Sequence, residues 1–223
     1  MSAPLPPFDV PLNQQPHGLA GRLIIVDGVD GSGKSTLAAA VAERIETAGH
    51  PARTMDLMSP WVRQHPQFQL LADDLDAVVS GRADIGGLCA ICMGDRLATW
   101  RTAASRLVAD GTWLVVDRYH LTPLADLHTL GSTLEDRLMV KALLERLPGP
   151  DLTLLADCPP ELTLQRVRSR PDEAHKTQRL RLAEGLVDAF RSYAPINDAV
   201  VIDTSGSIDA AVEAAGLSLR RLL

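Results

Sequence analysis

Between Gly28 and Ser35 the chain reads GVDGSGKS, which satisfies the spacing G-x-x-x-x-G-K-[ST]. Glycines let backbone N–H groups converge on phosphate oxygens without obstruction by Cβ atoms, and a helix start adds its positive dipole end. Gly28, Asp30, Gly31, Ser32, Gly33, Lys34, Ser35 and Thr36 are therefore the expected cradle for a nucleoside triphosphate. Lys34 would reach the β- and γ-phosphates and Ser35 would ligate Mg²⁺. A second cluster lies in VVDRYHLT at 115–122, where Asp117 can hold the ion through water. Beside it, Arg118 can fork two bonds onto an acceptor phosphate. The same two residues could instead form a structural ion pair at a strand end. Asp95–Arg96 and the arginines of RVRSR (Arg166, Arg168, Arg170) are further charged candidates, each with a solvated-surface alternative.

The elements that must position these groups are legible as short apolar runs. LIIV at Leu23–Val26, WLVV at Trp113–Val116, LTLLA at Leu152–Ala156 and VVI at Val200–Ile202 do not alternate. Each is followed by an aspartate: Asp27, Asp117, Asp157 and Asp203. Continuous apolar strands suit a parallel sheet covered on both faces, and ARTMDL at Ala52–Leu57 is a weaker fifth strand. Helical patterns fill the gaps: Lys34–Thr47, Gln67–Val79, Gly87–Ala109, Leu134–Leu147, Pro160–Arg168, Lys176–Tyr193 and Ile208–Leu222. Strand and helix alternate, so the expected fold is a three-layer α/β domain of the P-loop NTPase type with a five-stranded parallel sheet. Ligands of such sheets lie beyond the carboxyl ends of the strands, toward which each terminal aspartate is expected to point. Residues 1–20, with five prolines, are expected to form an extended arm outside a domain spanning 21–223.

Composition narrows the partners. A net charge of −6 argues against an extended nucleic-acid-binding face, and no apolar run approaches the roughly 18 residues of a membrane span. Three cysteines cannot all pair, and the N-terminal stretch lacks a signal-peptide pattern, which together point to a reducing cytoplasm. Cys89 and Cys92 of CAIC, in a helical pattern without a second ligand pair, are expected to be buried thiols.

The ordered set LIIVDGVDGSGKST, CMGDRLATW, VVDRYHLT, LLADCPPELTLQRVRSR and VVIDTS resembles the thymidylate kinases. That family's loop typically reads E-G-x-D-G-x-G-K-[ST]-T, its third strand ends in D-R-Y, and its long helix carries A-D-R. The resemblance implies transfer of the γ-phosphoryl of ATP, with Mg²⁺, to a (deoxy)nucleoside monophosphate. It further implies that Asp30 contacts the acceptor's sugar hydroxyl and that Arg96 and Arg118 bind the acceptor. It also implies a lid at about 166–177, a homodimer, and an adenine loop at VVIDTS. Gly31 stands where some members carry arginine; in the glycine branch lid arginines contact the transferred group, which makes Arg166 and Arg170 catalytic candidates. Arg179, Arg181 and Arg191 are expected to be surface charges.

The acceptor side departs from the pattern. Cys92 replaces the phenylalanine that stacks on thymine, and Pro123 replaces the polar residue that contacts the base. Trp61 and Arg63 could take over stacking and phosphate contact or serve local packing; His120, Asp126 and His128 add polar groups nearby. An unphosphorylated acceptor such as a nucleoside, or a non-catalytic nucleotide-binding role, are the alternatives. The apolar stripes of the two long helices could cover a dimer interface or the chain's own core.

Overall fold

The computed structural model describes residues 11–74, 76–171 and 180–222. Strands β1 (Arg22–Asp27), β2 (Ala52–Met55), β3 (Trp113–Asp117), β4 (Leu152–Asp157) and β5 (Val200–Asp203) form one parallel sheet in the order β2-β3-β1-β4-β5. The helices are α1 (Lys34–Thr47), α2 (Pro60–Arg63), α3 (Pro66–Asp73), α4 (Asp76–Val79), α5 (Ile85–Thr99), α6 (Ser105–Ala109), α7 (Leu121–Thr129), α8 (Leu134–Leu144), α9 (Pro160–Arg168), α10 (Leu180–Ile196) and α11 (Ile208–Leu219). Leu23–Val26 of β1 and Trp113–Val116 of β3 are apolar and buried at every position because both faces are covered there, whereas the edge strands β2 and β5 are partly exposed. Leu23 and Ile25 enter the core shared with α5, α7, α8 and α10, whereas Ile24 and Val26 enter the core shared with α1 and α11. The expected three-layer α/β architecture is the one observed.

Several boundaries differ from the periodicity. The pattern at Gln67–Val79 divides into α3 and α4, because Asp74 is extended and its carboxylate accepts the Asp76 N–H at 3.0 Å, starting a new turn. The long Gly87–Ala109 pattern is α5 and α6 joined by a π-helical turn at Trp100–Ala104, which places Trp100 and Ala104 in the core. α7 gave no clear signal because Pro123 interrupts it. In the first turn a missing N–H breaks no helical bond, so the proline is tolerated there. The beginning of the Lys176–Tyr193 pattern and the distal part of the lid, 172–177, lie outside the described residues.

The described part of the arm, 11–20, does not stand away from the fold. Gly149 N–H donates to the Gln15 carbonyl at 2.8 Å, His17 Nε2 lies 2.8 Å from Asp151, and Leu12 and Leu19 pack on the core. The prolines keep this segment extended, and its leucines cover apolar surface that would otherwise face water.

His120 enters α7 only 2% exposed, with its Nδ1 lacking a hydrogen-bond partner among the described residues. Burial, helped by the Arg96 charge and opposed by Asp27, pushes its pKa down to about 4. The unfolded chain takes up this proton near pH 6.5 and the folded chain only near 4, so stability is intact above 6.5 and falls as the pH drops between those values. Urea unfolding of His120→Gln should lack up to about 3 kcal/mol of the loss that the parent suffers across this window. Equal pH slopes for parent and variant would refute this assignment.

Candidate active site

The β1–α1 loop closes tightly because two of its glycines adopt left-handed backbone: Gly31 has φ 82° and Gly33 φ 89°. A Cβ on Gly31 would also run into the Thr163 backbone of α9, so this conformation has no room for arginine there. Lys34, 6% exposed, donates to the Val29 carbonyl at 3.4 Å and to Asp30 at 3.1 Å. Burial first, and then the Arg118 charge, push its ammonium pKa down against the pull of Asp30 and Asp117. Ser35 Oγ donates to Asp117 Oδ2 at 2.5 Å, linking the start of α1 to the end of β3.

Asp27 joins the two loops. Its carboxylate is fully buried and accepts from Tyr119 N–H at 3.1 Å, Leu121 N–H at 3.0 Å and Thr122 Oγ1 at 2.5 Å. Tyr119 is fixed further by its hydroxyl, which donates to the Pro148 carbonyl at 2.9 Å. Between these anchors Arg118 sits at φ 70°, a left-handed backbone that costs a non-glycine residue roughly 1–2 kcal/mol. That twist aims its guanidinium at Asp30, with which it forms an ion pair. Burial opposes the Arg118 charge, but Asp30, Asp126, Asp117 and Asp27 together raise its pKa.

These groups form the floor of a cleft of about 380 Å³ whose walls include Asp56, Arg63, Phe68, Cys92, Arg96, Pro123, Asp126, Arg170 and Phe190. Arg96 is 2% exposed and donates to the Tyr119 carbonyl at 3.3 Å, so it is no solvated charge; burial lowers its pKa. Its Nε has no hydrogen-bond partner among the described residues. Neighbouring Asp95 instead accepts from Ser59 N–H and Oγ, both at 2.7 Å, and so braces α5 against α2. Cys89 and Cys92 are buried, and burial raises both thiol pKa values, that of Cys92 to about 11. Burial likewise pushes the Asp126 carboxyl up to about 7, against the charges of Arg118 and Arg96.

Arg170 lines the cleft, but Arg166 donates to the Thr204 carbonyl at 3.0 Å and lies 3.5 Å from the Gly31 carbonyl, fastening the loop from the β5 side. Trp61 is 65% exposed outside the cleft, whereas Arg63 lines it and pairs with Asp56. Not every strand-end aspartate faces the site. Asp157 is held by Arg191 Nε and Nη2 at 2.9 and 3.0 Å, and Asp203 accepts from Ser205 N–H at 2.8 Å. Arg191 is thus a bidentate partner of β4 rather than a plain surface charge. Phe68, Phe190 and the latch role of Asp27 were not legible, because their neighbours are remote in sequence.

Asp117 Oδ1 is buried without a hydrogen-bond partner among the described residues, while Oδ2 meets Ser35. A hydroxyl and a carboxylate with spare lone pairs, beside a phosphate cradle, are the hard oxygen donors that Mg²⁺ takes together with substrate phosphates. The residues present fit that ion.

A parallel sheet with this loop on its central strand and a carboxylate on the adjacent strand end defines a P-loop nucleotide-binding domain. The chain belongs to the thymidylate kinase family, whose profile matches residues 26–215. It is similar to the thymidylate kinase of Xanthomonas euvesicatoria pv. vesicatoria, with 31% identity over 156 residues, 68% of this chain and 63% of that protein. It is also similar to the probable thymidylate kinase of Archaeoglobus fulgidus, with 30% identity over 149 residues, 66% of this chain and 70% of that protein. The chain thus spans about 63% of the length of the Xanthomonas relative. Among the described residues no helix is long and apolar enough to cross a membrane.

Asp27→Asn would remove the charge and place an amide N–H₂ either against the Thr122 hydroxyl at the Oδ1 position or against the two backbone N–H groups at the Oδ2 position. Hydrogen bonds to a charged group contribute about 1.5–3 kcal/mol, so chemical denaturation should show a loss of at least about 2 kcal/mol. A stability within 0.5 kcal/mol of the parent, roughly the effect of a neutral surface change, would refute the latch.

Proposed function

We propose that this protein is a Mg²⁺-dependent nucleoside monophosphate kinase that moves the γ-phosphoryl of ATP to a (deoxy)nucleoside monophosphate. The observation that carries the reading is the meeting of Lys34 and Arg118, from two different loops, on the single carboxylate of Asp30 in one continuous cleft. Two cations so close, one on the triphosphate loop and one facing the acceptor side, suit a reaction whose donor and acceptor phosphates must come into contact. Phosphoryl transfer needs charge neutralisation and in-line positioning rather than a covalent intermediate.

Each residue then has a task. The loop from Gly28 to Thr36 cradles the ATP phosphates, and Lys34 follows the β- and γ-oxygens. Ser35 and Asp117 hold Mg²⁺, which supplies neutralisation of charge developing on the phosphate oxygens. Arg118 grips the acceptor phosphate with two parallel bonds, supported by Arg63 at the mouth. Arg96 and the apolar wall take the acceptor's base, with Asp30 near the sugar. Arg170 guards the open side, and Arg166 keeps the loop in shape.

Purified protein incubated with ATP, Mg²⁺ and a panel of nucleoside monophosphates should yield a diphosphate from at least one; no product from any would sink the reading. Steady-state kinetics then separate the cations. Lys34→Ala should lower kcat about 10²–10³-fold, the scale of losing one preorganised electrostatic contact. Arg118→Ala should raise the acceptor KM while changing the ATP KM less than threefold, a division that a general folding defect would not produce.

The homodimer implied by the family resemblance has support in α8, where Leu134 and Leu138 are 60% and 54% exposed beside Met139. α5 packs against α8 on the molecule's own core, so a second copy would cover the outer stripe. Sedimentation should show a dimer that Leu138→Glu dissociates; a monomer at micromolar concentration would overturn this assembly.

A further inference from the structure

Resting on the kinase reading, a second feature of the cleft bears on which acceptor it takes. Asp126 lies on α7 with its carboxylate in the cleft wall, flanked along the helix by Leu124, Ala125 and Leu127, all at most 2% exposed. The helix therefore cannot rotate to release it. Asp27 accepts three hydrogen bonds, Asp95 and Asp157 accept two each, and Asp117 is engaged through one oxygen by Ser35. Among the described residues none donates a hydrogen bond to the Asp126 side chain. Its companions in the wall include the apolar Cys89, Cys92, Leu186 and Phe190, and the Arg118 and Arg96 guanidiniums act on it through charge without donating a hydrogen bond.

A carboxyl held in this wall without a hydrogen-bond donor costs free energy in the protein alone, a cost that the Arg118 and Arg96 charges offset only in part. It presents acceptor oxygens in the same cleft as Arg118, on the α7 wall, where an acceptor whose phosphate meets Arg118 can bring its base or sugar. We propose that Asp126 is a specificity-determining residue that recognises a hydrogen-bond donor on the acceptor, an N–H of the base or a hydroxyl of the sugar. A site with a buried group awaiting such a donor discriminates strongly against the analogue that lacks it, because the group is then left unpaired. The carboxyl also explains how base selection can survive with Cys92 and Pro123 at positions where the resemblance implies stacking and polar contact. Discrimination moves from the α5 wall to α7.

Calorimetric titration of the full chain tests this with three nucleoside monophosphate pairs, each differing by one donor. dCMP against its N4,N4-dimethyl derivative reports the exocyclic amine, CMP against dCMP the 2′-hydroxyl, and dTMP against its N3-methyl derivative the ring N–H. The parent should prefer the donor-bearing member of at least one pair. Asp126→Leu should erase that preference by weakening the preferred ligand about 10–100-fold, the scale of a lost charged hydrogen bond. Asp126→Asn, which keeps a carbonyl acceptor, should retain part of it. The Asp126→Leu protein alone should melt higher than the parent, whereas removal of a merely structural residue would lower Tm. Ratios within twofold of the parent in every pair would overturn the proposal, as would failure of the parent to bind any member. Tight, discriminating binding without turnover would instead defeat the kinase reading and leave Asp126 as the recognition residue.

Discussion

The buried carboxylate of Asp27 is the interaction on which the site depends. It ends the central strand, and all three of its hydrogen bonds go to the segment after β3. Parallel pairing places Val26 opposite Asp117, so the phosphate loop and the D-R-Y turn leave the sheet side by side. Pairing alone would not hold Arg118 in a left-handed conformation. The bonds to Tyr119, Leu121 and Thr122 fix the backbone immediately after it, and the Arg118 N–H donates to the Val26 carbonyl at 3.0 Å just before. A strained residue persists only where its surroundings over-determine it, and here the surroundings are one carboxylate and one strand.

The second constraint is electrostatic. The chain carries a net charge of −6, which would repel a polyphosphate at long range. Locally Lys34, Arg63, Arg96, Arg118 and Arg170 face one cleft, and low dielectric there strengthens their attraction for phosphate oxygens. Asp30, Asp56 and Asp117 keep these cations from repelling one another. The Asp30 carboxylate lies where two cations converge, the arrangement that phosphate oxygens also require.

The cleft walls are assembled from remote parts of the chain. α5 contributes Cys92 and Arg96, α7 Pro123 and Asp126, α3 Phe68, and α10 Phe190. Two phenylalanines at the wall mean that the exchange of aromatic for cysteine on α5 leaves aromatic surface within the same cleft. The described part of the N-terminal segment lies elsewhere, tied to Gly149 and Asp151 before β4.

Sequence alone determined the features written in short-range pattern. The phosphate loop was legible because its geometry demands glycine at particular positions, as at Gly31 and Gly33, where φ is 82° and 89°. The central strands were legible because burial on both faces disfavours polar residues along Leu23–Val26 and Trp113–Val116. Helices with clear periodicity, such as α1 and α9, kept their expected limits. Tertiary structure decided what depends on partners brought together by the sheet order. Asp27 looked like its three fellow strand-end aspartates until the segment after β3 supplied donors more than ninety positions away. Asp157 carried the same local signal, but α10 brought it Arg191 instead. α7 stayed hidden because Pro123 imitates a breaker, and only packing against α10 and α5 shows that a first-turn proline breaks nothing. The leucines of the docked segment, like the exposed ones of α8, had a fate that local pattern does not record, because burial is a property of the neighbours and not of the residue.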